Sequence, residues 1–317
     1  MSIDTVLRTI LLPLLLTLGV PACDAEAQGP RPARQHRITQ SEGQPDLAAA
    51  TQRPPARSSV SISIEDGQRV IRANGIPDHL VGAFPNGGNP HAIRTQTYVF
   101  RIPTRPALSG RITPLRLQDF GIALNGVPFD PGAAEWYQGD RQGGWQYEAL
   151  SGAIRPGFDD HHAHVQPSGA YHYHGLPRHL LDELGVVVGR HSPLVGWAAD
   201  GFPIYALFGF TDGDRADSPV RELRSSYRLK AGRRPSGGGA PGGTHDGTFV
   251  ADYEYVAGHG DLDECNGRRT VTPDFPKGMY AYFLTSDWPV IPRCFQATPS
   301  KYFERTRPRS GQRRRLR

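Results

Sequence analysis

Methionine and cysteine are nearly absent from this chain, with two of the first and three of the second among 317 residues. So few thioethers argue against a carrier of Cu(I) built on methionine sulfur. No Cys-x-x-Cys pair occurs, which removes zinc-ribbon and thioredoxin-like motifs. Glycine-rich phosphate loops, a Gly-x-Ser-x-Gly elbow and a His-Glu-x-x-His stretch are missing as well. Helical periodicity is scarce, and the apolar run from Ile10 to Leu18 is too short to span a bilayer as a mature helix.

An excess of charge on the body is also lacking. The net charge is +5, but residues 301–317 carry eight cations against Glu304, and residues 28–57 carry five Arg against Glu42 and Asp46. With −2 on residues 1–27, residues 58–300 are left at −3. A nucleic-acid-binding face needs its cations on the folded body, so no nucleic-acid partner is expected. Arg313, Arg314 and Arg315 belong to a solvated basic tail over residues 301–317.

The N-terminal apolar run is followed by Ala25-Glu26-Ala27, the small-x-small pattern of a signal-peptidase site. Residues 1–27 therefore read as a signal peptide, and the mature chain holds no transmembrane segment. Val20-Pro21-Ala22-Cys23 resembles a lipoprotein box, which offers a lipid anchor at Cys23 as the other processing route. Either route makes the protein periplasmic or secreted. In that compartment Cys265 and Cys294 can pair and close a loop of about 30 residues, or remain two buried thiols. Residues 28–59, rich in Pro, Gln, Arg and Ala and without aromatics, read as a disordered linker.

From residue 60 to 300 no second linker is seen. Short stretches of β-formers recur between Gly, Pro and Asn: Val60-Ser61-Ile62-Ser63-Ile64, Thr97-Tyr98-Val99-Phe100-Arg101-Ile102, Gly121-Ile122-Ala123-Leu124, Ile204-Tyr205-Ala206-Leu207-Phe208 and Met279-Tyr280-Ala281-Tyr282-Phe283-Leu284. Residues 178–184 are the expected short helix, and the glycine-rich 237–243 a flexible excursion. The fold class is mainly β, a single β-sandwich or distorted barrel with long loops.

Five of the twelve histidines fall within residues 161–174. Alternation along a strand puts His162 with His164 on one face, and His172 with His174. Gln166-Pro167-Ser168-Gly169 between them is a turn. Pairing His164 with His172 brings His162 near His174, so four imidazoles leave one face of a hairpin. His161, Tyr171 and Tyr173 point to the other side. Such a group binds one divalent transition metal, Cu, Zn, Fe or Mn. Asp159 or Asp160 serves as a further ligand or orients a ring.

The run His162-Ala163-His164-Val165-Gln166-Pro167-Ser168-Gly169-Ala170-Tyr171-His172-Tyr173-His174-Gly175 resembles the signature of the YHYH-domain family. Ala73-Asn74-Gly75-Ile76-Pro77-Asp78-His79, Asn125-Gly126-Val127-Pro128-Phe129, Ala199-Asp200-Gly201-Phe202-Pro203-Ile204-Tyr205, Glu264-Cys265-Asn266-Gly267-Arg268 and Tyr280-Ala281-Tyr282-Phe283-Leu284-Thr285 carry the likeness over about residues 70–300. The resemblance implies an exported single domain and marks the same histidines, but supplies no reaction.

Outside the cluster, Asp200 is the candidate general base or extra ligand, and Tyr205 the candidate oxyanion donor. Each also reads as a structural residue, Asp200 capping its turn and Tyr205 filling a core. Asn266 and Arg268 lie beside Cys265, either binding substrate or sitting on a solvated turn. Asp261, Asp263 and Glu264, like Asp212, Asp214 and Asp217, lack EF-hand spacing. His245 and His259 are the histidines best suited to join the cluster from elsewhere. The expectation is a metalloenzyme, hydrolytic with Zn or Mn and oxidative with Cu or Fe, acting on an unspecified small molecule or polymer. The alternatives are metal handling without catalysis and a structural surface role.

Overall fold

Apolar residues alternating with serines, then Asp66-Gly67, form a hairpin in which both turn residues adopt positive φ (50° and 74°), the backbone that two-residue hairpins require. The computed structural model describes residues 47–116 and 118–304. In it β1 (Val60–Glu65), β2 (Gln68–Ala73) and β3 (Tyr98–Pro103) make a three-stranded antiparallel sheet. Val70, Ile71, Phe100 and Ile102 are buried, while edge strand β1 leaves Ile62 and Ile64 exposed.

The larger sheet has eight strands. They are β4 (Gly121–Ala123), β5 (Pro128–Phe129), β6 (Ala163–Val165), β7 (Tyr171–Tyr173), β8 (Gly196–Ala198), β9 (Pro203–Ala206), β10 (Gly267–Thr270) and β11 (Met279–Leu284). Their spatial order is β10-β11-β9-β8-β4-β5-β7-β6, with parallel pairing only at β5/β7 and β9/β11. Strands β4, β7, β8 and β9 are buried along their whole length; β4, β8 and β9 accordingly read as continuous apolar runs, whereas β7 sets buried His172 between two tyrosines. The architecture is mainly β with several sheets and one short helix, α1 (Arg178–Glu183), and no closed barrel among the described residues. No described helix is long and apolar enough to cross a membrane.

Three boundaries differ from expectation. The run at 204–208 is broken by Leu207, whose φ of 61° separates β9 from a strand at Phe208–Phe210. Residues 237–243 contribute to a small antiparallel hairpin of Ser236–Gly237 with Ala240–Pro241. Residues 47–59, grouped with the linker on composition, lie along the body: Ala48 N donates to Phe158 O (2.8 Å), and Gln52 and Val81 exchange two backbone hydrogen bonds (2.9 and 2.8 Å). The expected signal peptide, Cys23, the rest of the linker and the tail beyond Glu304 lie outside the described residues.

A Cys265–Cys294 disulfide joins the start of β10's approach to the segment after β11. Beside it, Asn266 takes a φ of 55° and its amide donates to Phe283 O, Thr285 Oγ1 and Pro289 O. Asn266 is thus spent on the fold, and Arg268 on Phe210 O.

Candidate metal centre

Strands β6 and β7 pair antiparallel with His164 opposite His172, closed by the 166–169 turn, where Gly169 N donates to Gln166 O (2.8 Å). The turn and the register both match expectation. His174 follows β7 and its N–H bonds to His162 O (2.8 Å), extending the ladder by one residue.

Three of the four expected imidazoles converge. The ring centroids of His164, His172 and His174 form a triangle with every side 4.7 Å. His174 Nε2 lies 2.8 Å from His172 Nε2 and 3.1 Å from His164 Nε2. Around a tetrahedral ion with metal–nitrogen bonds of about 2.0–2.1 Å, neighbouring nitrogens sit about 3.3 Å apart, so these two separations lie within a few tenths of an ångström of ligated ones. Backbone carbonyls hold two of the rings in place. His164 Nδ1 faces Pro156 O (2.8 Å) and His172 Nδ1 faces Ala170 O (3.1 Å), contacts in which Nδ1–H donates and Nε2 is left as a lone pair. His174 Nε2 has at most one proton to share between two such acceptors. A cation at the centre would satisfy all three at once.

The rings sit in largely apolar surroundings. Phe158 packs at 5.0 Å from both His164 and His174, and His172 and His174 are buried. Burial lowers the His164 pKa below the ordinary histidine value.

The fourth expected ligand is displaced. His162 has a φ of 53°, and that left-handed step just before β6 breaks the alternation on which its placement rested. Its Nδ1 meets Leu176 O (2.9 Å), and burial pushes its pKa down to about 4. Gly175 is what admits this ring: a Cβ there would stand 3.0 Å from His162 Cβ and 2.9 Å from Leu150 Cδ1.

A carboxylate stands beside the triad instead. The parallel pairing of Tyr173 with Phe129 and the bond from Asp130 N to Tyr173 O (2.8 Å) bring buried Asp130 to the triad. Its Oδ2 lies 3.5 Å from His172 Nε2 and accepts from Gln166 Nε2 (3.2 Å). Sequence reasoning missed it, although Asp130 directly follows Asn125-Gly126-Val127-Pro128-Phe129.

Asp159 and Asp160 do not ligate or orient these rings. Fully buried Asp159 accepts from four donors: His161 N (3.0 Å) and Ala163 N (3.3 Å) at Oδ1, Gly82 N (3.0 Å) and Tyr171 Oη (2.7 Å) at Oδ2. Asp160 accepts from Ala50 N. Asp200 accepts from Tyr282 Oη (2.6 Å) and Ala297 N (3.1 Å), and Tyr205 donates to Asp274 Oδ2 (2.9 Å). Tyr205 lies on β9, four strands from β7, or about 19 Å at the usual strand spacing. These two serve the fold where they stand. His245 pairs with Asp252, and His259 is exposed.

His161 points away as expected, into a second histidine group with His79 (4.2 Å between centroids) and His179 (6.0 Å). Ring nitrogens of His79 and His161 are engaged: His79 meets Leu80 O (2.6 Å) and Tyr173 Oη (2.7 Å), and His161 Nε2 meets Leu80 O (3.1 Å). Burial pushes both pKa values down to about 4.

The family model described as YHYH protein matches residues 99–297. The chain belongs to the YHYH protein family. The match contains the triad, Asp130 and both cysteines of the disulfide, and stops short of the Asp78-His79 segment. No curated protein and no solved structure matches the chain.

Proposed function

We propose that this YHYH protein is an exported metal-dependent enzyme whose centre is one divalent transition metal held by His164, His172 and His174. The observation that carries the reading is the convergence of three Nε2 atoms, those of buried His172 and His174 and of half-buried His164, two of them on rings whose Nδ1 contacts leave Nε2 unprotonated. Three imidazoles leave an open position for water or substrate, and Asp130 stands where it can take a proton from that water. The donor set holds no sulfur and suits Zn, Mn, Fe or Cu. Zn or Mn supports hydrolysis, and Cu or Fe supports oxidation. Export rests on the apolar run before Ala25-Glu26-Ala27 and on the disulfide.

A second reading, a metal that only braces the fold, is favoured by the burial of His172 and His174, 2% and 3% exposed, since structural sites are closed. Elemental analysis of purified protein and of His172→Ala tests the shared claim: about one metal per chain in the first and none in the second. Equal metal in both refutes it. An alanine variant that loses metal yet keeps its melting temperature excludes the bracing role.

A further inference from the structure

Across β7 from the triad lies a cleft of about 940 Å³, within the size range of sites for small organic molecules. Its floor is a rigid polar network. The Asn125 amide, buried, donates to Asp78 Oδ1 (3.0 Å) and to Tyr173 Oη (2.9 Å), and the Tyr173 hydroxyl also meets His79 Nε2 (2.7 Å). Val60, Leu80 and Leu124 supply apolar wall, and Leu80 is 46% exposed.

One side of the cleft is the strap of residues 52–59, which brings Arg53 and Arg57 to its lining. The strap is tied down at both ends. Gln52 is bonded to Val81 through two backbone contacts, and the Asn74 side chain grips Arg57 O (2.8 Å) and Ser59 N (3.1 Å). Neither guanidinium makes an ion pair among the described residues. Two cations against Asp78 leave the lining positive, because His79 is held neutral by burial.

We infer that this cleft binds an organic carboxylate with an apolar body, its anionic group taken by Arg53 and Arg57, its body against Leu80 and Leu124, and a hydroxyl directed to Asp78. Planar guanidinium forks match a carboxylate, and the residual Asp78 oxygen accepts from a hydroxyl. The site is separate from the triad, which lies on the other face of β7, so the inference stands or falls apart from the metal reading.

The test is isothermal titration of the full mature chain with 4-hydroxybenzoate as the probe and 4-hydroxybenzyl alcohol as its uncharged counterpart. Saturable one-to-one binding of the acid is expected, with the alcohol at least about tenfold weaker and affinity falling as salt rises. The Arg53→Gln/Arg57→Gln double variant changes only exposed side chains and is expected to lose about tenfold or more in affinity while retaining the wild-type circular dichroism spectrum and metal content. No saturable binding, equal binding of acid and alcohol, or acid binding unchanged in the double variant overturns the proposal.

Discussion

Asp159→Asn isolates what holds the histidine hairpin in place. The carboxylate is fully buried and accepts two donors at each oxygen, from Gly82 N, Tyr171 Oη, His161 N and Ala163 N. Burial raises its pKa, and the donors pull in the other direction. An asparagine keeps one accepting oxygen and turns an NH₂ group toward the other two donors. Two buried donors lose their partner, at about 1–2 kcal/mol each, so the substitution costs about 2–4 kcal/mol. Asp160→Asn is the control: its one accepted bond, from Ala50 N at 3.1 Å, is only partly buried, and the cost is about 1 kcal/mol or less. Urea titration of the two variants and wild type measures both numbers. The Tyr171→Phe change should cost about 1–2 kcal/mol and be less than additive with Asp159→Asn, since the two share one bond. An Asp159→Asn protein within 0.5 kcal/mol of wild type would refute the assignment of this residue as the clamp of the hairpin.

Two further outcomes are expected. Because the folded pKa of His79 lies at about 4 against 6.5 for the free side chain, its contribution is complete above about pH 6.5 and is lost as pH falls toward 4, where the unfolded chain takes up a proton that the folded chain refuses. His79→Gln removes that dependence, so relative to wild type the variant gains about 2 kcal/mol between pH 7 and pH 4.5, measured by urea titration; parallel curves would contradict this. Gly175→Ala places a methyl group against Leu150 and His162 and should destabilise the chain by about 1–3 kcal/mol, displacing the His162 ring and leaving its NMR resonances shifted; an unchanged spectrum and stability would show that the turn has room.

Much of this arrangement is legible in the sequence because it depends on local periodicity. The 166–169 turn and the pairing of His164 with His172 follow from spacing alone, and the run 279–284 coincides with β11. What escaped depends on backbone steps or on distant chain. Nothing in the residue type of His162 announces its φ of 53°, and that one dihedral removes it from the ligand face. Asp130 reaches the triad through a parallel pairing with a strand more than 40 residues away, a contact without local signature. Likewise, the composition of residues 47–59 suggested a chain unable to bury itself, but its anchoring comes from backbone hydrogen bonds to Phe158 and Val81, to which composition is blind. Asp200 and Tyr205 looked catalytic as isolated polar residues beside a turn and a strand; their partners Tyr282, Ala297 and Asp274 are assembled only by the fold.

In the proposed centre three imidazoles, and not four, surround one metal. X-ray absorption spectroscopy at the edge of the bound metal counts them directly. The account predicts three nitrogen scatterers with imidazole outer-shell features at about 2.0–2.1 Å, and oxygen from water or Asp130 completing the shell. The spectrum should be unchanged in His162→Ala and lost in His164→Ala, His172→Ala and His174→Ala. A shell of four imidazoles that loses one in His162→Ala, or a metal that persists when the triad is broken, would contradict it.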